Sequence, residues 1–286
     1  MTANAPALAM ADVRYIYPSP GGGVVALDGV TIEIPPGQTL AVAGQNGSGK
    51  TTFGKLVNGL LHPASGSVSV HGQDTTGRRV QDLARHVGYV FQNPNHQLFA
   101  RSVREELAFG PRNLGIAEAE IDRRIGEVAE AFGLTGQLGD HPYHLGFPIR
   151  KLVSIASVVT MRPSIMVLDE PTTGQDHRTS DAIVRVIQEL RDSGVTVVCI
   201  SHDMGLVVAV ADRVVVLQAG RVVADGTPRV VLADQATMST TRLRPPQVTR
   251  LSLALPGGAD RPAALTVDEL LRDVRSAGLA RVEGLP

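Results

Sequence analysis

Gly44-Gln45-Asn46-Gly47-Ser48-Gly49-Lys50-Thr51-Thr52 fits the pattern GxxxxGK[ST], and its surroundings decide the fold. Ahead of it, Gln38 to Ala43 (QTLAVA) is a short apolar run that reads as a buried strand. Behind it, Thr51 to Leu60 spaces Phe53, Leu56, Val57 and Leu60 along one helical face. Strand, glycine-rich loop and helix together make the setting of a phosphate-binding loop. The glycines let the backbone curl until successive N–H groups point at one anion, and the helix N-terminus adds partial positive charge. Lys50 is then placed to reach the β- and γ-phosphates, and the Thr51 hydroxyl to ligate Mg²⁺. The loop specifies a nucleoside triphosphate and leaves its use open.

Composition narrows that use. A chain of 286 residues holds one large α/β domain with an appendage, or two small domains. The formal net charge of −1 removes the electrostatic case for nucleic acid as a main partner. The single cysteine, Cys199, lies in the apolar run VTVVCIS and reads as a core residue, which excludes an internal disulfide or a cysteine metal cluster. No stretch approaches the roughly eighteen apolar residues of a membrane-spanning helix, and the first residues lack the pattern of a signal peptide. The expectation is an intracellular protein that meets a membrane only through a partner.

Leu8 to Tyr17 and Val24 to Ile34 partly alternate and read as a strand pair ahead of the phosphate-loop strand. Tyr17, just before their turn, either stacks on an adenine base or packs against its strand neighbours; the residues leave both open. Gly66 to His71 and Val87 to Phe91 read as further strands, and Pro94 in Phe91-Gln92-Asn93-Pro94 ends regular structure. From Arg101 to Met161 the pattern is helical, with Ile121, Ile125, Val128, Ala129 and Phe132 on a packing face. Ile165 to Leu168 is a short apolar strand ending in Asp169-Glu170. Carboxylates at the C-terminal end of such a strand lie where ligands bind in open α/β sheets. Asp169 is read as holding Mg²⁺, directly or through water, and Glu170 as polarising the water that attacks the γ-phosphate. Thr196 to Ile200 is another buried strand, and it delivers His202 toward the same phosphate. Val214 to Leu217 and Arg221 to Ala224 read as a closing hairpin. The tail from about Gln235, with its Pro-Gly-rich interruption and the helix-like Thr266 to Leu271, reads as a small appended unit.

In this order the elements resemble an ABC transporter ATPase over roughly Leu8 to Leu232. The resemblance implies a P-loop NTPase fold of the ABC-ATPase type. It has an antiparallel β subdomain, an inserted helical subdomain over about 101–161 and a C-terminal extension over 235–286, so that 1–234 form the nucleotide-binding domain. In that family's terms Gly44 to Thr51 is Walker A, Gln92 the Q-loop glutamine and Ile165 to Asp169 Walker B. Glu170 is the catalytic glutamate, Thr173-Gly174-Gln175-Asp176 the D-loop, His202 the switch histidine and Tyr17 the aromatic A-loop residue. The resemblance therefore implies ATP and Mg²⁺ as ligands. Tyr17, Gly44, Asn46, Gly47, Ser48, Gly49, Lys50, Thr51 and Thr52 would hold the nucleotide, and Thr51, Gln92 and Asp169 the metal. Glu170, His202, Lys50 and Gln92 would do the chemistry.

Val90 to Gly115 (VFQNPNHQLFARSVREELAFGPRNLG) and the tail PPQVTRLSLAL…ALTVDELL are similar to energy-coupling factor (ECF) ATPases, the cytoplasmic motors of bacterial uptake systems for vitamins and for cobalt or nickel ions. That resemblance implies three partners: a second ABC ATPase, a transmembrane coupling subunit and a membrane-embedded substrate-binding subunit. It also implies a peripheral place on the cytoplasmic face of the membrane. One departure stands out. Where the family has its LSGGQ signature, this chain has Leu145-Gly146-Phe147-Pro148-Ile149. Gly146 has no hydroxyl, Pro148 no N–H and Ile149 no polar side chain, and Phe147 is bulky where backbone must approach a phosphate. Each charge-assisted bond lost is worth about 1.5–3 kcal/mol, so a heterodimer with an ATPase carrying an intact signature is expected. Gln175, where the D-loop usually has leucine, is a lesser departure at the same dimer interface. The rival readings are a soluble ABC ATPase that transports nothing and a regulatory subunit that binds ATP with little turnover.

Overall fold

The computed structural model describes residues 5–20, 22–258 and 261–276, so the ends of the chain and of the expected extension (277–286) lie outside the described residues. Two sheets form the frame. The first is antiparallel, ordered β2-β1-β4-β5, from β1 (Leu8–Tyr17), β2 (Val24–Ile34), β4 (Ser65–Val70) and β5 (Gln73–Asp74). The second is ordered β10-β9-β3-β8-β7-β6, from β3 (Thr39–Gly44), β6 (Val87–Val90), β7 (Ile165–Asp169), β8 (Thr196–Ile200), β9 (Arg213–Gln218) and β10 (Arg221–Gly226). Five of its strands are parallel, and β10 pairs antiparallel on the edge next to β9.

The strands β3, β7 and β8 inside the sheet, and β6 on its edge, are buried at every position, which is why they read as unbroken apolar runs rather than as alternating ones. The alternation is still present, hidden in which core each residue joins. Val42, Val167, Val198, Ile200 and Val215 face α1 (Lys50–Val57) and the antiparallel sheet. Met166, Leu168, Val197 and Cys199 face the helical layer. Ala41, Ala43, Val214 and Val216 face a third core at the C-terminal side.

The helices follow in order: α2 (Val80–Leu83), α3 (Val103–Asn113), α4 (Glu118–Ala131), α5 (Phe147–Val159), α6 (His177–Asp192), α7 (Met204–Val210), α8 (Pro228–Ala233), α9 (Gln235–Thr240), α10 (Gln247–Ala254) and α11 (Val267–Ser276). Between Arg101 and Met161 the described residues are helices, single 3₁₀ turns and loops, as the sequence pattern requires. The first helix is shorter than its pattern. It stops at Val57, Gly59 turns the chain with positive φ, and Leu60 is exposed rather than on the buried face. Pro94 does not end structure but opens a 3₁₀ turn, where its missing N–H costs nothing. In α1, Gly54 lets the helix sit close on the sheet, because a Cβ there would press on Ile200, Tyr89 and Val167.

Residues past 234 are not detached. Met238 and Leu243 share the third core with Ala41, Ala43, Val214 and Val216. Gln218 donates to the Thr240 carbonyl at 2.9 Å, and Arg229 of α8 reaches both the Ala263 carbonyl and Glu269 of α11. No helix among the described residues is long and apolar enough to cross a membrane.

Candidate nucleotide site

The C-terminal ends of β3, β7 and β8 open onto one cleft of about 510 Å³, lined by Tyr17, Val24, Val25, Ala26, Asn46, Gly47, Gly49, Lys50, Thr51, Thr52, Gln92, Glu170, Thr173 and His202. The glycine-rich loop forms its floor. Gly49, at φ +106, is the N-cap of α1, and the backbone takes this left-handed form because glycine carries no Cβ to meet the Ala26 carbonyl. Lys50 is buried, and its ammonium donates to the carbonyls of Gly44 (2.7 Å) and Gln45 (2.9 Å). Two of its three N–H donors thus hold the loop's curl and one is left for a ligand. Burial pulls the Lys50 pKa down, while Glu170 and Asp169 oppose the fall. Gly44 and Ser48 are buried in the loop, and Gln45, Asn46 and Gly47 are exposed at its crown.

The carboxylates end β7. Asp169 is buried, and its Oδ2 accepts from the Tyr89 hydroxyl at 2.9 Å. Its Oδ1 is buried with no hydrogen-bond partner, and the Thr51 side chain lies against the same carboxyl. Burial raises the Asp169 pKa, with Tyr89 and Thr51 pulling the other way. A buried carboxylate oxygen left unpaired is costly. Beside a threonine hydroxyl it matches the oxygen-donor set of a hard divalent cation such as Mg²⁺. Gln92 is exposed in the loop after β6, and its side chain lines the same cleft.

Glu170 is nearly buried and sits at φ +47, a backbone region that non-glycine residues rarely occupy and that clusters at functional sites. The flanking structure holds it there: its N–H donates to the Ile200 carbonyl at 2.9 Å, and its Oε2 accepts from the Thr173 hydroxyl at 3.1 Å. Its Oε1 lies 2.8 Å from His202 Nδ1. His202 is placed by its neighbour Asp203, which caps α7 through the N–H groups of Gly205 and Leu206 and accepts from Thr172. On the opposite wall the Tyr17 hydroxyl lies 3.2 Å from Thr52 Oγ1, and the ring, part-exposed beside Val24 and Val25, faces the cleft edge-on to Tyr15.

The fold therefore collects in one place Tyr17, the loop from Gly44 to Thr52, Gln92, Asp169, Glu170 and His202. Residues 27–173 match the model of the ABC transporter family. The chain belongs to the ABC transporter ATPase family. It is 40% identical over 269 residues to the energy-coupling factor transporter ATP-binding protein EcfA of Methanothermobacter thermautotrophicus, covering 92% of this chain and 85% of that one. It is 41% identical over 260 residues to the cobalt import ATP-binding protein CbiO of Rhodobacter capsulatus, covering 90% and 91%. Among solved structures, cbiO1 of Clostridium perfringens, described as part of the ABC transporter complex cbiONQ, superposes with a TM-score of 0.73 at 31% identity over 86% of this chain and 98% of that one. The ATP-binding cassette MJ0796, at 23% identity, shares the fold with a TM-score of 0.72 over 78% of this chain and 99% of that one. The ECF-type resemblance stands, and ATP hydrolysis is this ATPase's reaction.

Four residues that support the site carry no functional signal in the sequence. Tyr89 was legible as a strand residue, but its bond to Asp169 spans 80 positions. Val24 and Val25 read as ordinary strand valines, yet both are exposed beside Tyr17. Lys151, fully buried, donates to the carbonyls of Phe91 and Gln92, both at 2.9 Å. In the sequence it is a lone lysine followed by LVSIASVV.

Proposed function

We propose that this ABC ATPase energises an ECF-type importer of a micronutrient, a vitamin or a transition-metal ion, as one half of an asymmetric ATPase pair. The observation that carries the asymmetry is the start of α5. Gly146 caps the helix without a side-chain bond, and Phe147 and Pro148 form its first turn. The Phe147 ring lies over Gly174 of the D-loop, and the Arg150 guanidinium stands 5.9 and 6.0 Å from the Tyr143 and Phe147 ring centres. An aromatic and a proline thus occupy the face that, in the family, offers a hydroxyl and glycine amides to the partner's ATP. The chain's own catalytic set is complete. ATP bound on this chain is the one cleaved, and ATP on the partner's loop, facing Phe147 and Pro148, is cleaved poorly.

In the bound state the loop amides and the free donor of Lys50 would offset charge on the γ-phosphate. Thr51 and Asp169, with Gln92, would hold Mg²⁺, which neutralises charge on the β- and γ-oxygens. Glu170 would orient or deprotonate the attacking water, and His202, already bonded to Glu170, would turn toward the γ-phosphate. Tyr17 would stack on adenine.

Membrane partners fit the surface after Gln92, where Phe99 and Phe109 are exposed and packed edge to face, with ring centres 4.7 Å apart. The names of the Rhodobacter and Clostridium relatives point the same way. The protein would then sit on the cytoplasmic face of the membrane, with residues beyond 234 as an ATPase-pairing unit. Intact Glu170 and His202 weigh against a regulatory subunit without turnover. The test is ATPase activity of the purified chain alone and with the paralogous ATPase of its host. Turnover should require the pair; a homodimer working at rates typical of enzymes overturns the asymmetry.

A further inference from the structure

The loop that carries Gln92 is tied to α5 at successive turns of the helix. Lys151 donates to the Phe91 and Gln92 carbonyls. Gln97 accepts from the Phe91 N–H at 3.2 Å and donates to the Ser154 carbonyl at 2.6 Å and the Ser157 hydroxyl at 3.1 Å. Lys151, Ser154 and Ser157 lie three residues apart on one face, so loop and helix are laced along their length. Arg150 of the same helix also donates to Asn95 Oδ1 at 3.0 Å, but of these charged groups only Lys151 is fully buried, at 0% exposed.

A lysine so buried is rare and costly unless its donors are satisfied. Here two donors end on main-chain carbonyls of the loop, one of them that of Gln92 itself. Lys151 also lies one helical turn beyond Phe147, where α5 begins. The two bonds therefore join that helix start to the backbone from which the Gln92 side chain enters the cleft.

We propose that Lys151 is a positioning residue for Gln92: its ammonium fixes the Phe91–Gln92 backbone, and through it the placement of the Gln92 amide against metal-bound nucleotide. This rests on the nucleotide reading of the cleft. It goes beyond that reading by making the start of α5, which meets the partner, and the metal-facing glutamine of the same chain parts of one mechanical unit.

The test is binding by the full-length chain, read with a fluorescent ATP analogue with and without Mg²⁺, for wild type, K151M, K151R, Q92A and K151M/Q92A. K151M should weaken binding in Mg²⁺ by about tenfold, as Q92A does, and leave Mg²⁺-free binding within about twofold. The double variant should be no weaker than Q92A alone, because both lesions remove one interaction. K151R, which keeps the cation, should recover most of the loss. Multiplying effects in the double variant overturn the proposal. So does an equal loss with and without Mg²⁺, which marks general loosening. A silent Q92A with normal ATP binding overturns it while leaving the ATPase reading standing; loss of all binding in wild type sinks both. If K151M does not fold, K151Q takes its place in the same comparison.

Discussion

Glu170 is held by three partners before any substrate arrives: the Ile200 carbonyl through its backbone, and Thr173 and His202 through its side chain. A carboxylate fixed this way can act on a water without first reorganising. Glu170→Gln keeps the size and the bond to Thr173 but removes the base. Turnover should fall by at least about a hundredfold, the ordinary worth of a positioned base, with ATP affinity little changed. Equal turnover in the variant, measured as phosphate release by the assembled pair, removes Glu170 from its role. Tyr17 is the second residue-scale case. Its hydroxyl rests on Thr52, so the ring is oriented from within the protein. Tyr17→Ala should weaken ATP by about 1–3 kcal/mol, the worth of a stacked base, and Tyr17→Phe should lose far less. If both variants bind alike in equilibrium titration, the ring packs on its strand and does not stack.

At the scale of elements, the loop depends on β2 as much as on its own glycines. A Cβ at Gly49 would run into the Ala26 carbonyl and the Leu27 side chain, and the residue sits at φ +106. Gly49→Ala should therefore cost at least about 1 kcal/mol through backbone strain, push the loop off β2 and abolish ATP binding. A melting curve and a nucleotide titration check the two effects separately; a variant that binds ATP normally shows that the loop has slack. Helix α5 is the other element with two duties. Its start is the face proposed above to meet the partner ATPase, and its next turn, through Lys151, holds the loop of Gln92.

Over the whole molecule, the buried charge of Lys151 leaves a trace in stability. Burial lowers its pKa from 10.5 to about 8, with Asp169, Glu170 and Cys199 opposing the fall. Between those values the unfolded chain keeps a proton on the lysine that the folded chain has released, so stability rises with pH through that window. The difference in unfolding free energy between wild type and K151M should therefore grow from pH 7 to pH 10, by no more than about 3 kcal/mol. Cys199 and Tyr89, both raised by burial, work in the opposite direction above their unfolded values. They are common to both proteins and cancel. Urea melts at the two pH values check the sign, and a flat difference shows that the ammonium is not desolvated.

The strands along the chain other than the two-residue β5, the phosphate loop, the paired carboxylates at the end of β7 and the histidine after β8 were legible in the sequence, while the order of the strands within the two sheets was not. Each is written in a handful of adjacent residues whose spacing fixes local backbone geometry. The helix end was misread by three residues because the apolar spacing continued to Leu60, while Gly59 turned the chain at Val57. What only the tertiary structure decided are the contacts between segments distant in the chain. His202 meets Glu170 across 32 positions, Lys151 meets Gln92 across 59 and Tyr89 meets Asp169 across 80. No periodicity encodes such pairs. They exist because parallel strands with crossovers bring their C-terminal ends side by side, and because a buried carboxylate or ammonium must find its partner wherever the packed core places one.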